Sequence, residues 1–289
     1  LYGADAVYVG VEGLSLRAKQ AEFSIADLEQ GIREAHQQKV KVYAALNIFA
    51  QNRDLNLVKE KVGVLSEIGI DGVILSDPGI LRIVRKTKPE LPVHLSTQAN
   101  TTNSEAVRFW YEQGVKRIVL ARELNLEQIS EIAAEVPQVE LEAFIHGAMC
   151  MAYSGRCFLS AYLTNRSSNR GECVHPCRWE YKVVERSRPD EVLILEEDER
   201  YTYLFSSKDL RMIQYLPQVL AAGISSLKIE GRMKSVYYVA VVTRTYRWAL
   251  EAALKNPEAY ECMPEWLAEL DKVSNRGDTT GFFLGEQRI

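Results

Sequence analysis

The sequence predicts an α/β fold, and within that class a (β/α)8 barrel, incomplete or distorted, with a cysteine-bearing loop inserted. Three observations predict it. A pattern of helix end, glycine, two or three residues and a short apolar strand recurs at Gly3, Gly69, Gly114 and Gly223. Eight strand segments alternate with amphipathic helices. Polar side chains follow those strands, where a parallel barrel opens its functional face. A doubly wound open sheet is the alternative.

Strands are expected at the ends of the stretches Gly3 to Val9, Gly69 to Leu75, Gly114 to Leu120 and Gly223 to Ile229, and at Lys41 to Phe49, Val93 to Gln98, Leu141 to His146 and Thr202 to Ser206. Each recurring glycine suits a left-handed helix C-cap, where no Cβ is present to clash. The apolar runs after them are short and continuous, as in strands covered on both faces. Helices are expected over Ile25 to Gln37, Leu55 to Ile68, Glu105 to Gln113, Leu126 to Val136, Met212 to Ala221 and Ser235 to Leu254, with Ser104 and Asn125 as N-caps. Because the chain opens on a helix-end glycine, the beginning of its first βα unit is expected to be absent. One of the eight strands would then lie outside the barrel.

The polar strand ends are Asp77, Gln98 and Asn100, Arg122 and Glu123, His146, Lys208 and Asp209, Glu230 and Arg232. Any one of them is equally well explained as a helix cap. Six strand ends converging on one face are better explained as a pocket. The alternation breaks between Cys150 and Arg178, a loop-like stretch with Gly155, Gly171 and Pro176. A structureless insert of that length is usually functional. A second interruption, residues 185–200, is charged and reads as a solvated hairpin or excursion.

Composition narrows the function classes. With 47% hydrophobic and 26% charged residues the chain is that of a folded globular protein, able to bury its core without disulfides. A formal net charge of −4 gives no whole-molecule field for nucleic acid, so any RNA contact must come from a local patch. No apolar run approaches the roughly 18 residues of a membrane span, and the first residues do not form a signal peptide. The odd total of five cysteines, four of them clustered, suits a reduced, cytoplasmic setting and a metal site.

Those four are Cys150, Cys157, Cys173 and Cys177, spaced x6, x15 and x3. Thiolates from one long loop can converge on a zinc ion or occupy the corners of an iron–sulfur cluster, and the spacing does not choose between them. Cys262, alone, reads as an ordinary packed or exposed residue. Of the four histidines, His36 lies on a surface-helix pattern and His94 early in a strand. His146 precedes Cys150 by four residues and is the best catalytic candidate, or else a support for a ligand. His175, between two cysteines, is placed to orient a sulfur. No His-Glu-x-x-His or Gly-x-Ser-x-Gly pattern supports a protease.

The stretch from Glu142 to Ser160, EAFIHGAMCMAYSGRCFLS, closely resembles the defining pattern of the U32 family. So do HLSTQAN from His94 to Asn100, SSKDL from Ser206 to Leu210 and KIEGRMKS from Lys228 to Ser235. The resemblance runs nearly end to end and covers 1–289 as one TIM-type barrel domain, with a metal-binding loop at 150–178 and the family's first strand and helix missing. RGECVHPCRW, from Arg170 to Trp179, is most similar to the branch that hydroxylates tRNA. Members were first called collagenase-like peptidases, yet several act in oxygen-independent or prephenate-dependent hydroxylation of wobble uridine in tRNA, a cytidine of 23S rRNA or ubiquinone precursors. The resemblance implies a [4Fe-4S] cluster on Cys150, Cys157, Cys173 and Cys177, and tips the choice that spacing left open between zinc and iron–sulfur toward iron–sulfur.

Under that resemblance, the cysteine loop gains a second meaning. Arg156, Arg166, Arg170 and Arg178 outnumber Glu172 and Glu180, and Tyr153, Phe158, Tyr162 and Trp179 are interleaved with them. Aromatic and guanidinium planes together could stack an unpaired base and hold its phosphates. A flipped uridine would enter a pocket lined by Asp77, Gln98, Arg122, Lys208, Asp209, Glu230 and Arg232. Catalytic roles would fall to His146, Asp77, Lys208, Asp209 and Glu230. Gln98, Asn100, Arg122, Arg232, Arg156, Arg170, Arg178 and Trp179 would bind substrate, and Arg122 or Arg232 would suit the carboxylate of a small-molecule oxygen donor such as prephenate. The other readings are a U32 peptidase, a hydroxylase of rRNA or of a small molecule, and a scaffold whose metal only staples the loop.

Overall fold

A computed structural model describes residues 2–15, 22–150, 152–170, 172–179, 196–197, 202–203 and 208–285. The chain begins with β1 (Ala6–Val11) and the two-residue β2 (Glu22–Phe23), then α1 (Ile25–Gln37) and β3 (Lys41–Ala45). Next come α2 (Leu55–Glu67), β4 (Gly72–Leu75), α3 (Pro78–Thr87), β5 (Val93–Leu95), α4 (Ser104–Glu112), β6 (Arg117–Val119), α5 (Leu126–Glu135) and the long β7 (Glu140–Ala148). The cysteine segment carries one short helix, α6 (Leu159–Thr164). After it come the hairpin of β8 (Glu196–Glu197) and β9 (Thr202–Tyr203), then β10 (Asp209–Arg211), α7 (Leu216–Ala221), β11 (Ser226–Ile229), α8 (Val236–Lys255), α9 (Pro264–Asp271) and β12 (Asp278–Thr279).

Seven strands, β1, β3, β4, β5, β6, β7 and β11, form a continuous parallel wall, each hydrogen-bonded to the next. Its first and last members do not share a backbone ladder among the described residues. They nonetheless meet through side chains. The Tyr8 hydroxyl donates to Glu230 Oε2 at 3.1 Å, and Lys228 Nζ lies 4.5 Å over the Tyr8 ring. A parallel wall whose ends touch is curved into a barrel, so the α/β barrel predicted from the sequence is present with one open seam.

The wall is dry because helices cover it. β4 is buried along its whole length, and α2 turns Val58, Val62 and Leu65 inward while α3 turns Ile80, Leu81 and Val84. This is the continuous apolar strand and one-sided helix expected of parallel α/β units. The four recurring glycines have φ of +87, +86, +81 and +89°, and Gly69, Gly114 and Gly223 thereby end α2, α4 and α7 in the left-handed conformation the sequence required. Gly147 has a different reason. A Cβ there would stand 2.5 Å from the Glu230 carbonyl oxygen, so β7 and the end of β11 approach this closely only without a side chain.

Several expected elements differ. Thr202–Tyr203 pairs antiparallel with Glu196–Glu197 in a hairpin apart from the wall, so Thr202 to Ser206 is no barrel strand; residues 204–206, like most of the charged excursion 185–200, lie outside the described residues. In its place β10 joins β7 antiparallel at its C-terminal end and carries β12 on its other edge. The strands expected to reach Phe49 and Gln98 stop at Ala45 and Leu95, the second giving way to a 3-10 turn over Thr97–Ala99. The N-cap of α4 is Asn103 rather than Ser104, its Oδ1 accepting from Ala106 N at 2.9 Å. Helices α3 and α9 were not expected. Both begin at a proline, the residue whose fixed φ suits the first helical turn.

Candidate active site

The C-terminal ends of the wall and the cysteine segment enclose a cavity of about 370 Å3. Tyr8, Ser96, Thr97, Gln98, Arg122, Phe144, Lys228, Glu230 and Arg232 supply the barrel side. Cys150, Cys157, Cys173, His175 and Cys177 supply the roof. A segment that bears four thiols is thus folded over the face where parallel barrels bind their ligands.

Polar struts hold this roof down. Both Arg170 terminal nitrogens donate to the Asp54 carboxylate, at 2.8 and 3.0 Å, and one also donates to the Phe49 carbonyl. Arg156 Nε donates to the Gln98 carbonyl at 2.9 Å. Ser154, in a left-handed conformation, gives its N–H and its hydroxyl to the Glu123 carboxylate, both at 2.6 Å. The hydrogen bond and charge of Arg170 hold the Asp54 carboxyl down at about 2. Asp54→Asn is therefore expected to loosen the roof by about 1.5–3 kcal/mol at neutral pH, the range for hydrogen bonds to a charged group. Because the folded pKa is depressed, this contribution is complete above the ordinary value of 3.8 and fades as pH falls through about 2. Hydrogen exchange of residues 150–179 in wild type and variant should differ at pH 5 and converge in acid. A constant difference at every pH would assign the effect to something other than this carboxylate.

The four sulfurs ring the cavity rather than closing on one point. Among the described residues no three His, Cys, Asp or Glu side chains converge as a single-ion site. The backbone N–H of Leu159 points at Cys157 Sγ and that of His175 at Cys173 Sγ, each at 3.4 Å. Such donors to sulfur tune iron–sulfur centres. Four half-buried thiols sharing a cavity wall, with amide donors on two of them, fit a four-thiolate cluster in chemistry and in room.

The other residues singled out in the sequence divide by position. Gln98, Arg122, Glu230 and Arg232 line the cavity. Glu230 accepts from Tyr8 and from the Arg232 N–H at 3.2 Å, while Arg232 donates to Ser15 Oγ at 2.7 Å. Asn100, in a left-handed turn, is near but not on the wall. Asp77 is spent as the N-cap of α3, its Oδ1 accepting from Gly79 N at 2.7 Å and Ile80 N at 3.0 Å. His146 faces α8 instead of the cavity, packed between Tyr238 and Tyr246, and burial pushes its pKa down to about 3. Asp209 is buried in an ion cluster with Arg276 and Lys234, and Lys208 is exposed. The geometry therefore gives Asp77, His146 and Asp209 structural partners in place of the catalytic roles expected of them. Arg170 is paired with Asp54, whereas Arg156 gives its Nε to the Gln98 carbonyl and stays exposed. Trp179 is partly exposed beside the roof, and the Arg178 side chain lies outside the described residues.

Lys228 was missed. It lines the cavity with its Nζ 2.6 Å from Glu142 Oε1, and Glu142 also takes Ser226 Oγ at 2.8 Å and Arg117 at 3.4 Å. The available signal was a lysine in the middle of an apolar strand. The two remaining histidines sit elsewhere: His36 pairs with Asp71 at 2.8 Å, and His94 packs on Tyr43, with burial pushing its pKa down to about 4.

The sequence profile of peptidase family U32 matches residues 1–289. The tRNA hydroxylation protein P1 of Bacillus subtilis (strain 168) is 42% identical over 284 residues, which span 98% of this chain and 67% of that protein. The tRNA hydroxylation protein P of Escherichia coli (strain K12) is 40% identical over 320 residues, 97% of this chain and 70% of that one. A protein named collagenase from Porphyromonas gingivalis (strain ATCC BAA-308 / W83) is 36% identical over 296 residues, 99% of this chain and 70% of its own length. Among the described residues, no helix is long and apolar enough to cross a membrane.

Proposed function

The chain belongs to peptidase family U32, and we propose that it works there as an RNA-modifying hydroxylase that forms 5-hydroxyuridine at the wobble position of tRNA. The observation that carries this reading is the meeting of four cysteines with Gln98, Arg122, Lys228, Glu230 and Arg232 on one cavity at the strand-end mouth. Similarity to two proteins named for tRNA hydroxylation supports the choice of substrate. In this reading Cys150, Cys157, Cys173 and Cys177 hold a [4Fe-4S] cluster, which would supply one-electron chemistry when bound. Turning C5–H into C5–OH oxidises the base by two electrons, so a small-molecule donor must give the oxygen and take up that pair. Arg232, oriented by Ser15 and by its own N–H to Glu230, presents a guanidinium to the carboxylate of a prephenate-type donor. The Tyr8–Glu230 hydrogen bond at the seam can accept or return a proton beside it.

A peptidase reading draws on the similarity to the protein named collagenase. It needs a nucleophile with a base; His94 and His146 are packed away from the cavity wall, and His175, which does line it, stands among the thiols that the hydroxylase reading gives to the cluster. Anaerobically prepared, iron-loaded protein given unmodified tRNA and prephenate is expected to yield a wobble uridine heavier by one oxygen atom, read by mass spectrometry of the digested RNA. No product, with gelatin hydrolysis that tracks a cavity substitution, would replace the proposal by the peptidase.

A further inference from the structure

Two polar side chains on the cavity wall are held in place yet keep hydrogen-bonding atoms without a partner among the described residues. Gln98 is 5% exposed. Its carbonyl accepts from Arg156 Nε, and its N–H lies 3.5 Å from Ser96 Oγ, so the turn that presents it is fixed. Its Oε1 is buried and unpaired. Arg122 is fixed as well. One terminal nitrogen donates to the Ala148 carbonyl at 2.9 Å, and its Cζ stands 4.0 Å over the Phe144 ring, while its buried Nε has no partner.

Buried polar atoms are almost always satisfied, so the unsatisfied Gln98 oxygen on this wall points to a ligand that donates to it, beside a fixed guanidinium face that the same ligand can cover. A simple anion would suit Arg122 but would set negative charge against the Gln98 oxygen. The ligand must therefore carry a donor as well as an acceptor, and it must fit a guanidinium backed by an aromatic ring. A nucleobase meets both conditions. Guanidinium planes are common stacking surfaces for unpaired bases, and a carboxamide offers adjacent acceptor and donor groups to a base edge.

We propose that Gln98 and Arg122 form a nucleobase subsite, in which an extruded uracil stacks on the Arg122 guanidinium and presents its N3–H and O4 edge to the Gln98 carboxamide. The subsite rests on the RNA reading above and adds to it the residues that select the base. It also separates the two ligands within the cavity, with the base at Gln98 and Arg122 and the oxygen donor at Arg232.

The test uses iron-loaded protein and three anticodon hairpins that differ only at the wobble position, carrying uridine, 3-methyluridine or an abasic sugar. Dissociation constants are measured at one salt concentration, because phosphate contacts common to all three then cancel. Wild type is expected to bind the 3-methyl hairpin roughly tenfold to a hundredfold more weakly than the uridine hairpin, the range for losing a two-point base contact. In Gln98→Leu that ratio should fall to about one, while the loss on removing the base remains. Should Gln98→Leu fail to fold, Arg122→Lys keeps the charge without the plane and should shrink the difference between uridine and abasic hairpins. An unchanged ratio in Gln98→Leu, or an unchanged base dependence in Arg122→Lys, would overturn the subsite while leaving RNA binding intact. Wild-type protein that binds none of the hairpins would overturn the RNA reading itself, and the subsite with it.

Discussion

Cys173→Ala is expected to bleach the anaerobically isolated protein, remove its iron and acid-labile sulfide, and take hydroxylation below detection. Cys173 shares the cavity wall with Cys150, Cys157 and Cys177, and its sulfur receives the His175 N–H. Removing even an outer partner of a metal ligand typically costs about 10–100-fold in affinity, and removing a ligand itself costs more. Cys262→Ala is the matched control. That thiol is half-buried beside Tyr260, away from the cavity, and burial raises its pKa. It should leave colour, iron content and activity unchanged. Protein that is colourless and holds one zinc would instead make the four thiols a structural site, and equal loss from both variants would show that the bleaching reports damage to the fold.

Much of the barrel could be read from residue order because its signals are local. A glycine followed two or three residues later by a short apolar run needs no distant partner to be recognised, and the helix over Ile25–Gln37 was placed to the residue by its amphipathic pattern. What depends on partners far along the chain was not legible. Asp209–Arg211 has no apolar alternation and becomes a strand only because β7 offers an edge and Arg276 and Lys234 neutralise Asp209. The candidate site divides in the same way. The four cysteines announce themselves by density in one loop, and the cavity gathers all of them. The polar strand ends looked alike in sequence. Gln98 and Arg122 reach the cavity, whereas Asp77 turns back on its own helix and His146 turns toward α8. The loop arginines also looked alike in sequence. In the structure Arg170 closes on the Asp54 carboxylate, whereas Arg156 ties the roof through its Nε alone and stays exposed.

Lys228→Met is expected to cost about 3–5 kcal/mol of folding stability, because it strands a carboxylate inside the barrel. The Glu142 side chain is 8% exposed and that of Lys228 10%, so neither charge can recover its water while the wall stays closed. Burial alone would push the Glu142 carboxyl up. Lys228, Ser226 and Arg117 outweigh it and hold the group below its ordinary value. Arg117 cannot replace the lysine, since it stands 3.4 Å from Glu142 and is shared with Glu140. The paired variant Glu142→Met with Lys228→Met should recover most of the loss, because two apolar side chains of similar length remove both desolvation penalties together. Urea unfolding at pH 7 of the wild type, the single variant and the pair checks this directly. The pH dependence supplies an independent sign. A depressed carboxyl contributes stability above its unfolded value of about 4.5 and loses it as pH falls through the folded one, so the gap between wild type and Lys228→Met should narrow in acid as Glu142 takes up its proton. A single variant that costs under about 1 kcal/mol would mean that water reaches the pair. The cavity floor would then be a wet surface, not the rigid cation-backed wall on which Tyr8 and Phe144 rest.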